Sequence, residues 1–75
     1  MPPHTLTTIG EALYGSQWQS ELARALGVND RTVRRWAAGK NAMPEGISEE
    51  LSELCAERGK SLVELAAKLR RSAEP

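Results

Sequence analysis

The sequence holds no phenylalanine, one cysteine, one histidine and one tyrosine in 75 residues. Each scarcity excludes something. A lone thiol, Cys55, cannot close an internal disulfide, which fits a reducing cytosol better than a disulfide-stapled secreted domain. The only histidine, His4, and the only aspartate, Asp30, stand far apart in the chain, so no Ser-His-Asp or Cys-His constellation is expected. Metal-ligand spacing is missing too. The chain is therefore expected not to be an enzyme, and to hold no metal, cofactor or small-molecule ligand. No apolar run approaches the ~20 residues of a membrane span, so no membrane partner is expected. The opening MPPHTLTT has neither a basic nor an apolar signal region, so export is not expected either. Three aromatics, Tyr14, Trp18 and Trp36, make a poor set of stacking platforms for RNA. Net charge is also lacking, with ten Lys and Arg against ten Asp and Glu.

What remains is globular in character, with 40% hydrophobic and 27% charged residues. A chain this short buries only ~60% of its unfolded surface, enough for one core and too little for a Rossmann or P-loop domain. Strand signals are missing, and the apolar spacing is helical almost throughout. After a flexible lead over residues 1–4, the spacing predicts a helix with Leu6, Ile9 and Leu13 on one face, ended by Gly15. A second starts near Ser16 as N-cap and turns Trp18, Leu22, Ala25 and Leu26 inward before Gly27. A third, capped by Asn29 or Asp30, buries Val33, Trp36 and Ala37 and stops at Gly39. The stretch GKNAMPEG reads as a loop. Helix four is expected over 45–58, with Ile47, Leu51, Leu54 and a buried, inert Cys55 inward and Gly59 as its stop. Helix five is expected over 61–72, opened by a Ser61–Glu64 capping box. The expected fold is an all-α compact bundle of about five short helices in a single domain, residues 5–75.

The informative segment is QSELARALGVNDRTVRRW, residues 19–36. A small residue, Ala23, is followed four positions later by Gly27, and then by apolar Val28, Val33 and Trp36 one, six and nine positions further on. Glycine supplies a left-handed turn, and the small residue lets the second helix cross close to the first. This is the spacing of a DNA-binding helix-turn-helix. From about Leu6 to Leu54 the chain resembles the Cro/C1-type helix-turn-helix repressors of phages and prophages, and the fold expected is lambda-repressor-like. Trp36-Ala-Ala-Gly39 and Met43-Pro44-Glu-Gly-Ile47 also resemble small phage-encoded regulators, which include antitoxin-type autoregulators and repressors encoded beside anti-CRISPR genes.

The resemblance implies that Asp30, Arg31, Thr32, Arg34 and Arg35 match positions that read base edges in the major groove of double-stranded DNA. Arginine's planar fork suits guanine, and Thr32 suits phosphate or a thymine methyl. Asp30 either accepts from a cytosine or caps the third helix. Gln19 matches a position that holds a phosphate in the family. Lys40 and Asn41, just past the third helix, are placed to hold backbone phosphate. Trp18 either offers its indole N–H to a phosphate or packs on Leu22. The acidic run Glu45, Glu49, Glu50 and Glu53 reads as a solvated face or a partner surface.

A helix-turn-helix reads half of a palindromic operator, so a homodimer is expected. Helices four and five are the candidate dimer element, through Leu62, Val63, Leu65, Ala66 and Leu69. The zero net charge is a cancellation. Residues 16–42 carry +3, while residues 1–15 carry −1 and residues 43–75 carry −2. The function expected is a cytoplasmic repressor of its own operon in a bacterial or phage-infected cell. The alternatives are an antitoxin-type or anti-CRISPR-associated autoregulator with the same DNA-binding mode, and a helical protein-interaction adaptor that binds no DNA.

Overall fold

The computed structural model describes residues 2–73, and these are helical with no strand among them. Four α-helices follow in order: α1 (Pro3–Tyr14), α2 (Trp18–Leu26), α3 (Asp30–Ala37) and α4 (Ile47–Ala73), with a short 3-10 turn (Gly15–Gln17) between α1 and α2. The helix count is thus four rather than about five. Helix α1 begins at Pro3, so residues 3 and 4 belong to the helix rather than to a lead. Proline is well suited to the first helical position, where its fixed φ is already helical and its missing N–H has no partner to lose. Ser16 lies within the 3-10 turn instead of capping α2, whose first turn has no side-chain cap.

The core is one cluster: Leu6, Leu13, Trp18, Leu22, Ala23, Val33, Trp36, Ile47 and Leu51. It joins α1, α2, α3 and the first turns of α4. Gly10 belongs to it by absence, since a Cβ there would sit inside the Trp18 indole. Arg58 fastens the junction from outside. Its guanidinium donates to the Leu13 carbonyl, one of the unpaired groups at the end of α1, and lies 5.7 Å from the centroid of the Tyr14 ring.

The largest departure from expectation is α4. It runs through Gly59 and the Ser61–Glu64 pair without a break, 27 residues or about 40 Å at 1.5 Å per residue. Gly59 has no positive φ, as a helix-ending glycine would need. The physical reason is a matter of size. Interior glycine costs ~1 kcal/mol against alanine, and the strong helix formers around it, Ala56 to Arg58 and Leu62 to Lys68, outweigh that. The contacts of α4 with the body run from Ile47 to Arg58, the first 12 of its 27 residues. The molecule therefore measures 54 × 22 × 21 Å, with a radius of gyration of 15.0 Å. A compact chain of this length would have about 11 Å. Cys55 is exposed, not buried, because α4 presents only Ile47, Leu51 and Leu54 to the core.

A Cβ at Gly59 meets nothing within 4 Å. Gly59→Ala should therefore stabilise α4 by up to ~1 kcal/mol, with increased helical signal in circular dichroism. A loss of stability would mean that Gly59 ends a helix after all.

Candidate nucleic-acid interface

The turn between α2 and α3 follows from its residues. Gly27 takes the left-handed conformation at φ 71° and ψ 29°. The Val28 amide then donates to the Ala23 carbonyl at 3.0 Å, and the Gly27 amide to the Arg24 carbonyl at 3.3 Å. This double closure satisfies the end of α2 and turns the chain within three residues. Asn29, in extended conformation, starts α3 by accepting from the Arg31 amide at 2.8 Å. The cap is therefore Asn29, and Asp30 is the first helical residue. Its carboxylate instead accepts from Arg34 at 3.1 Å across one turn. At the far end Gly39 adopts φ 75°, and the Lys40 amide donates to the Arg35 carbonyl at 3.0 Å.

Helical geometry then sorts the α3 side chains. Val33 and Trp36 are buried and Ala37 is partly so. At about 100° per residue the opposite direction falls on Arg31, Arg35 and Ala38. All three are exposed. Asp30 and Arg34 form one flank of this ridge, and Thr32, half-buried, forms the other. Of the five residues singled out for base reading, Arg31, Arg34 and Arg35 are thus exposed on the outward side, with Arg31 and Arg35 at its crest, while Asp30 and Thr32 are half-buried on its two flanks. These two arginines enter neither of the ion pairs among the described residues, Arg24–Glu21 and Arg34–Asp30.

The residues singled out for phosphate divide. Lys40 and Asn41 are exposed in the loop after α3, and Gln19 is half-buried in the first turn of α2. Trp18 does not belong with them. It is 4% exposed and packed over Gly10, so its indole is a core element with no face left for a ligand. Arg58, which holds α1 and α4 together, is the structural residue that spacing and motif did not single out. It continues the Ile47–Leu51–Leu54 stripe, but its partner 45 residues away has no sequence signature.

Among the described residues, no cluster of three or more His, Cys, Asp or Glu side chains is placed to hold a metal, and no helix is long and apolar enough to cross a membrane. Comparison of the chain with protein-family models, curated proteins and solved structures gives no match.

Proposed function

We propose that this chain is a sequence-specific transcriptional regulator that binds double-stranded DNA with α2 and α3 as a helix-turn-helix. In this reading it acts in the cytoplasm as a homodimeric repressor on an inverted-repeat operator in its own promoter. The observation that carries the reading is the outward surface of α3. Arg31, Arg34 and Arg35 lie exposed on its outward side, flanked by half-buried Asp30 and Thr32, on a short helix that a left-handed glycine turn joins to α2. Alpha-helices of this width fit the major groove, and arginine forks there donate to guanine O6 and N7. Lys40, Asn41 and Gln19 would fix the helix on the backbone without reading sequence. Repression then needs no further chemistry, because an occupied operator excludes polymerase. An antitoxin-type or anti-CRISPR-associated regulator would use the same surface and differ only in genomic setting.

The test is a gel shift with DNA from upstream of the chain's own gene beside unrelated DNA of equal length. Tighter binding to the upstream fragment is expected, with log K falling against log salt by ~0.9 per phosphate neutralised. Equal binding to both fragments would remove sequence specificity. No binding at low salt would replace the reading with that of a helical interaction adaptor.

A further inference from the structure

We infer that Asp30 is a positioning residue for base recognition: it touches no base, but holds the Arg34 guanidinium at the first turn of α3 and turns it from the DNA backbone toward a guanine. The inference rests on the DNA-binding reading above and deepens it, by assigning the specificity of that surface to a pair rather than to arginines alone.

Three arginines lie on the outward side of α3, and one of them is held. The Arg34 Nη1 donates to the Asp30 Oδ2 at 3.1 Å, one turn back along the helix. Arg31 and Arg35 enter no ion pair among the described residues. The direction of the pair follows from the helix. Side chains lean toward the N-terminus, so an arginine reaches back to the level of an acid four residues before it, and this is the favourable order for such a pair. The neighbouring cap leaves Asp30 available for the task, because Asn29 and not Asp30 accepts from the Arg31 amide. Arg34 is thereby brought to the first turn of α3, the part of a reading helix that lies nearest the bases.

The chemistry of the pair then divides the arginine. A guanidinium has five N–H donors in a fixed fork. With Nη1 turned to Asp30, the edge formed by Nε and Nη2 is left to donate twice, as guanine O6 and N7 require. Both partners are about half exposed, 54% for Arg34 and 44% for Asp30, so water screens the pair and it adds little to stability. Its consequence lies in binding. A held side chain has less freedom to lose on docking. A guanidinium beside a carboxylate also attracts phosphate less than a bare one does. Both effects favour the matching base over the backbone, whereas Arg31 and Arg35 keep their full charge for either. The competing arrangement is direct acceptance from a cytosine by Asp30 itself, and it has a different signature.

Anisotropy titrations of Asp30→Asn on operator, on single-base operator variants and on unrelated DNA test the role. Asparagine keeps the size and removes the charge. Unrelated DNA should bind several-fold tighter, with a salt slope steeper by up to ~1 per chain. Preference at one symmetric base position should fall several-fold while preference at the others holds. Asp30→Glu, which can pair with Arg34 across the same turn, should keep that preference. Proportionate weakening on every DNA, with preference and salt slope intact, would mean that Asp30 only supports the helix and would overturn the inference. A double variant separates holding from reading. Asp30→Asn with Arg34→Ala should discriminate no worse at that position than Arg34→Ala alone. A further loss in the double variant would make Asp30 the reader and overturn the inference.

The pair is also open to measurement without DNA. Nuclear magnetic relaxation of the arginine Nε–H groups in the free chain should show Arg34 more ordered than Arg31 and Arg35, and as mobile as they are in Asp30→Asn. Equal mobility of the three in the unaltered chain would overturn this inference alone, even beside specific operator binding. An ordered Arg34 in a chain that binds no DNA would overturn the DNA-binding reading, and this role of Asp30 with it.

Discussion

Gly10→Ala is expected to destabilise the protein, although in most helices the same substitution stabilises it. Propensity alone favours alanine in a helix interior by ~1 kcal/mol. At Gly10 that gain meets the face of the Trp18 indole, which would overlap the new methyl. Trp18 is 4% exposed and shares its cluster with Leu6, Leu13 and Leu22, so the ring has little room to withdraw. Overpacking of a filled core costs ~1–3 kcal/mol and can exceed the propensity gain severalfold when the obstructing group is a rigid ring. A domain of this length has about 4–11 kcal/mol in total at 0.05–0.15 per residue, so the loss is a large share. Each kcal/mol lowers the melting temperature by ~4–8 °C. Thermal unfolding at fixed protein concentration measures it, beside Gly59→Ala, where the same added methyl meets open space. Opposite signs for the two substitutions are expected. A higher melting temperature for Gly10→Ala would mean that Trp18 does not lie across α1.

The same pair of glycines shows why part of the fold was legible in the sequence and part was not. Helix faces and turns are local properties. Leu6, Leu13, Leu22, Val33, Trp36, Ile47 and Leu51 lie on the faces that their spacing indicates, and Gly27 takes the left-handed turn that its place between two amphipathic segments requires. A glycine's effect at the end of α4's first half is a competition instead. Gly59 followed by Ser61 and Glu64 looks like a stop and a restart, but the residues around it favour helix by more than one glycine costs. Pro3 misleads in the same way, because proline forbids a helix interior but suits a helix start. Arg58 on the Leu13 carbonyl, and Trp18 over Gly10, join residues from different elements, and no periodicity encodes such pairings. For the candidate surface, spacing sufficed to turn Arg31, Arg34 and Arg35 outward. It could not separate Asn29 from Asp30 as the cap, because both side chains can accept from an amide two residues on. Only the backbone of Asn29, extended while Asp30 is already helical, decides it.

Arg35→Ala should abolish operator binding at concentrations where Lys40→Ala only weakens it. The two positive residues stand five positions apart and differ in where the fold holds them. Arg35 lies at the crest of α3 with Arg31, directly away from Val33 and Trp36, and enters no ion pair among the described residues. Arg34 is less suitable for the test, since Asp30 already holds its guanidinium at 3.1 Å and its removal also takes away a helix-stabilising pair. Lys40 follows the helix, in a loop tied back to Arg35 through the backbone. A guanidinium that reads a base contributes ~1–3 kcal/mol of discrimination. A two-fold complex forfeits it in both half-sites, so Arg35→Ala should cost ~2–6 kcal/mol on the operator, or about 30- to 20,000-fold, with relaxed preference at one symmetric base position. A lysine on phosphate carries no sequence information. Lys40→Ala should lower affinity for operator and unrelated DNA alike, and flatten the salt slope by ~1 for each phosphate that it no longer neutralises. Anisotropy titrations on operator, single-base variants and unrelated DNA at several salt concentrations separate the two signatures. Equal weakening on every DNA for Arg35→Ala would move Arg35 to the backbone and leave Arg31 as the reader at the crest.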